Sequence, residues 1–437
     1  MSTNQNRNIL PIVVMFLLFF MIAFVTNLCN PMAVIVKHHF SMSNFAAQLG
    51  NAANFIAYAV MGIPSGLLLK KIGYRKTALV AIFTGFVGVF LQYMSGWESI
   101  HSFWVYLIGA FVAGFCMCML NTVVNPMLNT LGGGGNRGNQ LVQFGGVCNS
   151  LAAVLVTIIM GHLIADTAKA QLSDATPALM IALGVFAFAF IVLLLVKIPE
   201  PTLKAEQHSK KSAPDNRHYT AFSFRHFDLG ILAIFLYMGV EVGVPTYVLQ
   251  YLTTAPTEAI PGAGIDTGIA GAIVALYWFL MLVGRLLGGI IGGKVSSRTQ
   301  ITVVSALSLV LILLGMFLPT STEVSFWGIE WESMTAVKAS IPVSVIPLIL
   351  VGLCTSVMWG GIYNMAVEGI GKYISIASGA FMTMVCGAGI LIPLQGKLVD
   401  VFGNFQMSYI VVLCCAAYIL FYALVGSKNV NKDIPTE

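Results

Sequence analysis

The stretch ILPIVVMFLLFFMIAFVTNLCNPMAVIV, residues 9–36, is an apolar run that decides the class of the protein. An α-helix rises about 1.5 Å per residue, so about 20 apolar residues cross a hydrocarbon core roughly 30 Å thick. Such runs recur along the whole chain of 437 residues, of which 58% are hydrophobic and 9% are charged. Soluble domains carry about a quarter charged residues. The sequence therefore predicts an all-α integral membrane protein embedded in a lipid bilayer.

Twelve transmembrane helices in two six-helix lobes are expected. A basic, proline-containing segment at 198–228 shows no apolar periodicity, and we interpret it as a cytoplasmic linker between an N-terminal lobe, 1–197, and a C-terminal lobe, 229–437. The first apolar run has no small-residue cleavage site, so it is expected to remain in the mature protein. The predicted spans are 11–36, 44–69, 77–96, 103–130, 140–164, 177–197, 229–252, 267–292, 300–319, 341–364, 375–396 and 406–426.

The two predicted lobes show weak similarity to each other. Aligning GIPSGLLLKKIGYRKT with GRLLGGIIGGKVSSRT matches Gly62 with Gly284 and Gly66 with Gly288. Parallel repeats of this kind are typical of two-lobed transporters, in which the substrate is held near mid-membrane between lobes that rock around it.

Lysine and arginine indicate the orientation, because cytoplasmic loops hold an excess of both residues. Most of the 22 lysines and arginines fall in loops on one side of the membrane if both termini are cytoplasmic. The net charge of +5 is therefore a topology signal and does not indicate a nucleic-acid partner. We expect a monomeric, multi-pass protein of a bacterial inner membrane, with both termini in the cytoplasm.

The sequence shows no sign of catalytic or metal chemistry. All eight cysteines fall in predicted helices without a CxxC pair, and the seven histidines lack ligand spacing. The run GGGGNR at 132–137 lacks the ending of a phosphate-binding loop. We therefore predict no catalytic residue, no metal and no cofactor, and we do not expect an enzyme.

Side-chain amides are frequent in predicted helices 1, 2, 4 and 5. They supply donors and acceptors together, as binding of a hydroxylated solute requires. Since an unsatisfied amide in hydrocarbon costs several kcal/mol, each must face a polar cavity or a neighbouring helix, and both interpretations stay open. An aromatic ring can also stack on a sugar, although aromatic residues in membrane helices usually serve packing. The candidate substrate-binding residues are Asn27, Asn30, Gln48, Asn51, Asn121, Gln143, Asn149, Tyr277 and Asn364.

Two charged residues, Glu241 and Arg285, lie deep within predicted helices 7 and 8. Charges inside a membrane usually find partners and usually mark function. We hypothesise an ion pair that either clamps the two helices together or takes part in coupling or gating. Arg75, in the basic loop after helix 2, is assigned to gating.

Segments along nearly the whole chain resemble the major facilitator superfamily and, within it, the fucose:proton symporter branch, which includes glucose/galactose permeases. The loop GLLLKKIGYRK resembles the superfamily's loop between helices 2 and 3, with Lys70 where an aspartate is usual. TNLCNP, LNTVVNPMLNTLG, YMGVEVGVPTYV, YWFLMLVGRLLG and GAGILIPLQGKLVD resemble branch segments in order and spacing. The resemblance implies the major facilitator fold and secondary transport of a monosaccharide, such as fucose, glucose, galactose or a related hexose, by alternating access.

Two positions depart from the proton-coupled members of that branch. Those members carry an aspartate in helix 1 and a glutamate in helix 4, at the positions of Asn30 and Asn121 here. Asparagine cannot take up and release a proton. The co-transported ion is thus left open between a proton and sodium, with Glu241 as the remaining deep carboxylate, or transport is uncoupled. The alternatives are a transporter of another small solute and a drug efflux antiporter of the same fold.

Overall fold

A computed structural model describes residues 9–41, 49–163, 172–196, 198–200, 219–265, 267–330, 335–431 and 433–436. Within this part of the chain, nine helices are long and apolar enough to cross a membrane, and a bent pair makes a tenth. The stretch Leu49–Met94 counts as two spans, because Gly73 interrupts it with a backbone (φ 84°, ψ 176°) that favours glycine. The 29-residue helix Gly135–Leu163 completes the twelve.

The helices are named α1 to α12 in chain order. They are α1 (Ile9–His39), α2 (residues 49–72), α3 (residues 74–94), α4 (Phe103–Leu131), α5 (Gly135–Leu163), α6 (Leu172–Leu195), α7 (Arg225–Thr253), α8 (Thr267–Gly292), α9 (Ser297–Phe317), α10a (Val345–Thr355), α10b (Met358–Ala366), α11a (Ile374–Thr383), α11b (Gly387–Phe402) and α12 (Ile410–Phe421). Short 3₁₀ turns occupy Ala221–Ser223, Gly371–Tyr373 and Met384–Cys386, and the turns Phe405–Ser408 and Tyr422–Gly426 flank α12.

Helix 10 was predicted as one continuous span, 341–364, and this is wrong. The helix breaks between Thr355 and Met358, and its two parts are bent by 42°. The hydroxyls of Thr355 and Ser356 donate to the carbonyls of Gly352 and Leu353, three residues back. Such bonds compete with the helical pattern and bend helices. The start of the predicted span, residues 341 and 342, belongs to a strand instead.

A β-hairpin between α9 and α10a was not predicted. Its strands, β1 (Glu323–Glu330) and β2 (Thr335–Pro342), are antiparallel. The register places Trp327 opposite Lys338, whose ammonium lies 5.9 Å from the centre of the indole ring. Strand β1 packs against α8. The hairpin therefore connects α9 to α10a and lies against α8 near Ala272.

Two names are used below for the ends of the bundle. The end at which α6 ends and α7 begins is the linker end, and the opposite end, where the hairpin lies, is the hairpin end. Helices α1 to α6 form the N-terminal group and α7 to α12 the C-terminal group. The predicted lobes 1–197 and 229–437 with a linker at 198–228 stay a prediction, because residues 201–218 lie outside the described part; α7 begins at Arg225.

One contact recurs in both groups. Arg75 donates from Nε to the carbonyl of Leu193 (2.9 Å) and from Nη2 to that of Leu194 (2.6 Å), at the end of α6. Arg298 donates from Nε to the carbonyl of Ala423 (3.0 Å), beyond the end of α12. Each arginine thus neutralises the partial negative charge at the last helix of its own group. This repetition agrees with the internal similarity seen in the sequence.

Candidate functional site

The two groups touch through α2 and α11a near the linker end. A Cβ added to Gly66 of α2 would lie 2.7 Å from the carbonyl oxygen of Ser375 and 3.2 Å from the Cα of Gly379. Only a residue without a side chain permits this approach, as is common where membrane helices pack. The helices α5 and α8 form the corresponding contact on the other side.

Buried amides join the groups at the same end. Asn129 of α4 donates from Nδ2 to Oδ1 of Asn364 in α10b, and Asn364 donates in turn to Oγ of Ser297 (2.8 Å). Gln143 of α5 donates from Nε2 to the carbonyl of Val357 (2.9 Å), at the break in α10. We call the Asn129–Asn364 and Gln143–Val357 bonds the linker-end lock. All three amide side chains are buried.

For Gln143 and Asn364 the structure favours one of the two interpretations left open by the sequence. Their described bonds run between helices, and the residues are only 3% and 6% exposed. In this conformation they hold α4 and α5 against α10. Their predicted role in substrate binding stays a prediction.

Arg285 connects three helices. Its Nη1 donates to Oγ of Ser150 (2.7 Å) and to the carbonyl of Gly146 (3.3 Å) in α5. The same nitrogen lies 3.5 Å from Oδ1 of Asn149, a predicted substrate residue. Its Nη2 lies 3.4 Å from Oε1 of Glu241 in α7.

The Glu241–Arg285 ion pair lies within the C-terminal group, and the same arginine makes the contact with α5 of the N-terminal group. The side chains are 14% and 12% exposed, so both charges are largely removed from water. A buried charge is tolerated when it is paired and hydrogen-bonded, and the pair carries no net charge. Coupling or gating by these residues stays a prediction.

Tyr277 is fully buried beneath this pair. Its hydroxyl donates to the main-chain carbonyl of Glu241 (3.1 Å) and lies 3.2 Å from Oγ1 of Thr355. Its ring meets that of Trp278 edge to face at 5.2 Å. The geometry favours packing at the break in α10 over the stacking role that the sequence also left open.

A chain of neutral groups runs from α10 to α2. The indole Nε1 of Trp359 donates to Oδ1 of Asn125 (3.3 Å), and Nδ2 of Asn125 lies 3.5 Å from Oδ1 of Asn121. The amide of Asn121 donates to the hydroxyl of Tyr58 (2.8 Å). Tyr58 and Asn121 are 8% and 7% exposed. Asn121, a predicted substrate residue, thus belongs to a polar chain between the groups.

The structure gives less information on the other predicted site residues. The amide of Asn27 is half-buried and donates to the carbonyl of Ala23 in its own helix (2.8 Å). Gln48 and the side chains of Asn30 and Asn51 lie outside what the structure describes. The described side-chain bonds of Arg75 are to α6, so its assignment to gating stays a prediction.

Three residues of this arrangement, Tyr58, Ser150 and Trp359, are not among the candidate site residues, although Trp359 is one of the aromatic residues whose ring could stack on a sugar. One signal was present for Tyr58, because it lies seven positions after Asn51 and so on the same face of α2. Nothing in the local sequence pointed to Ser150, since its partner Arg285 is 135 positions away.

The chain is similar in sequence to a known protein family. The model of the Major Facilitator Superfamily matches residues 15–393. A glucose/galactose transporter of Brucella abortus is 25% identical over 418 residues, which cover 94% of this chain and 93% of that protein. The L-fucose-proton symporter of Escherichia coli is 22% identical over 456 residues, covering 99% of this chain and 96% of the symporter.

A solved structure shows the same fold. The crystal structure of a major facilitator superfamily transporter, FucP, in the outward conformation superposes with a TM-score of 0.79 at 20% identity, over 97% of this chain and 100% of that one. The expected twelve-helix fold is thereby confirmed, and the protein is a multi-pass membrane transporter. The chain belongs to the Major Facilitator Superfamily.

Proposed function

We propose that the protein is a secondary transporter that imports a monosaccharide across a bacterial inner membrane by alternating access. The observation that carries this proposal is the alignment of a glucose/galactose transporter over 94% of the chain. The polar chain from Trp359 to Tyr58 supports it, because amides and hydroxyls are the groups that bind a neutral, hydroxylated solute.

The described conformation is the outward-facing one in this proposal. The lock, the α2–α11a contact and the Arg285 bridge all lie toward the linker end. The basic loop containing Arg75 lies at that end too, and an excess of positive charge marks the cytoplasmic side. Closure at the cytoplasmic side leaves the substrate path to open at the hairpin end. Both termini are then cytoplasmic, and the protein acts as a monomer.

A proton or sodium ion is co-transported in this proposal, and Glu241 is the group that binds it. Asn121, at the position where proton-coupled relatives are expected to carry a glutamate, is neutral at every pH. Glu241 is deep, acidic and paired with the arginine that reaches across to α5. Neutralising Glu241 would therefore remove the charge partner of the arginine that joins the two groups, which links ion binding to the contact between them.

A drug efflux antiporter of the same fold is the second candidate, with a transporter of another small solute. An apolar substrate favours an apolar cavity with few convergent polar groups. The buried amides of α4 and α5 fit a hydroxylated substrate better.

Counterflow in proteoliposomes tests the proposal directly. Vesicles loaded with unlabelled fucose, glucose, galactose, mannose or N-acetylglucosamine are diluted into a trace of the labelled sugar. At least one sugar should accumulate transiently in vesicles with protein and in none without it. Failure with every sugar, together with exchange of an amino acid or a cationic dye, would show that another solute is carried.

A further inference from the structure

The orientation of the Asn121 side-chain amide is fixed by its surroundings. Its Nδ2 lies 3.1 Å from the carbonyl oxygen of Met117 and 2.8 Å from the hydroxyl of Tyr58. A main-chain carbonyl only accepts hydrogen bonds, so the atom facing Met117 must be the nitrogen. Both N–H protons of Asn121 are therefore in use.

The same two bonds leave one acceptor and one donor available. The nearest described donor to Oδ1 of Asn121 is Nδ2 of Asn125 at 3.5 Å, the limit of a hydrogen bond, and an amide oxygen has two lone pairs. The Tyr58 hydroxyl accepts from Asn121, so its own proton remains free to donate. Among the described residues, no acceptor of that proton is found.

We infer that Tyr58 and Asn121 together bind one hydroxyl group of the transported sugar, an inference that rests on the proposed function. The hydroxyl donates to Oδ1 of Asn121 and its oxygen accepts from Tyr58. Because Tyr58 is only 8% exposed, an unpaired hydroxyl proton there is costly, and a ligand oxygen removes that cost. Tyr58 is then a specificity-determining residue, and toward the sugar Asn121 acts only as an acceptor, as an ionised carboxylate would.

The direction of the hydrogen bonds connects this subsite to the C-terminal group. Trp359 donates to Asn125. Asn125 donates from Nδ2 to the main-chain carbonyl of Asn121 (2.8 Å) and lies 3.5 Å from its Oδ1, and Asn121 donates to Tyr58. Each donor in such a chain polarises the next, which makes the last hydroxyl a better donor. Asn125 is therefore a positioning residue, and binding at Tyr58 is strongest while α10 lies against α4.

The test measures competition by sugar analogues in counterflow. The transported sugar is compared with analogues in which one hydroxyl at a time is replaced by hydrogen or by fluorine. The variants are Tyr58→Phe and, as a matched control, Tyr409→Phe, which removes another buried hydroxyl bound to a single main-chain carbonyl, that of Val244 (3.2 Å).

In the wild-type protein, loss of the recognised hydroxyl should weaken binding about tenfold, a typical effect of one hydrogen bond. Fluorine at that position accepts from Tyr58 and should recover part of the loss. In Tyr58→Phe the penalty should shrink, because only the bond to Asn121 is left to lose, and the deoxy and fluoro analogues should bind equally. Tyr409→Phe should keep the wild-type pattern.

Two results would overturn the inference. One is a Tyr58→Phe variant that keeps the full penalty at every position. The other concerns the wild-type protein alone: it would bind the deoxy and the fluoro analogue equally well at every position of the sugar. Absence of counterflow with any sugar would instead refute the proposed function, so the two failures are distinguishable.

Discussion

Replacing Asn364 by alanine should favour the conformation that is open at the linker end. The Asn364 side chain makes two bonds, but only the one from Asn129 joins the two groups, because Ser297 belongs to the C-terminal group itself. The bond to Ser297 is lost in both conformations, so it affects overall stability and cancels in the equilibrium between them.

The size of the shift between the two conformations follows from the amide of Asn129, which remains buried in the variant. Asn129 is 7% exposed, and in Asn364→Ala its nitrogen loses an acceptor while the groups stay together. A buried donor left unsatisfied costs about 1–3 kcal/mol, whereas in the open conformation water satisfies it. The equilibrium should therefore shift by about 5- to 150-fold toward the open conformation.

Double electron–electron resonance, which measures the distance between two spin labels, can detect this shift. Labels at Arg137→Cys and Lys294→Cys, in a background without native cysteines, place one exposed probe on each group at the linker end. The matched control is Asn139→Ala, which truncates a fully buried amide whose polar atoms have no partner among the described residues. A folded Asn364→Ala protein with the same distance distribution as Asn139→Ala would refute the reasoning.

Three further outcomes are expected. Gly66→Ala should also favour opening of the linker end, because its methyl group would lie 2.7 Å from the Ser375 carbonyl oxygen. Gly184→Ala is the control, since a Cβ there meets no atom within 4 Å. Equal distances between the spin labels in the two variants would contradict this. Glu241→Gln should abolish sugar accumulation driven by an imposed proton or sodium gradient, while counterflow persists. Asp228→Asn in the same helix is the control and should keep the accumulation. Accumulation that survives in Glu241→Gln would show that another group couples the ion to the sugar. Arg75→Gln should lower the maximal rate more than it changes the KM for sugar, because Arg75 holds the α2–α3 junction against α6. Lys76→Gln, at an exposed position, should change neither the rate nor the KM. A raised KM at an unchanged maximal rate in Arg75→Gln would argue against a role in gating.

Hydropathy predicted the helices because membrane spans are decided by local composition. It failed where local structure depends on a few polar atoms. The break in helix 10 comes from two adjacent hydroxyls, Thr355 and Ser356, in a segment whose apolar character continues unchanged. The hairpin was missed because its strands have eight residues each and the sequence between them, 331–334, contains neither glycine nor proline.

The site was predictable in chemistry and not in geometry. The amide stripes correctly marked which helices carry polar groups, but an amide that lines a cavity and one that joins two helices have the same sequence signature. Asn129 and Asn364 show why, since 235 positions separate two side chains that touch. Only the packing of α4 against α10 selects between the two interpretations.

The contacts between the groups suggest how an ion bound at Glu241 could act on the whole transporter. Arg285 is one rigid guanidinium shared between Glu241 in α7 and Ser150 in α5. Neutralising Glu241 removes its attraction for Nη2, so the charged guanidinium is held only by the bonds of Nη1 to α5 and the strength of that attachment changes. Since the lock itself consists of neutral amides, the strength of the Arg285 bridge is the term that a cation can change most. A cation arriving at Glu241 from the hairpin end would thus alter the attachment of α8 to α5, the contact that must break before the linker end opens.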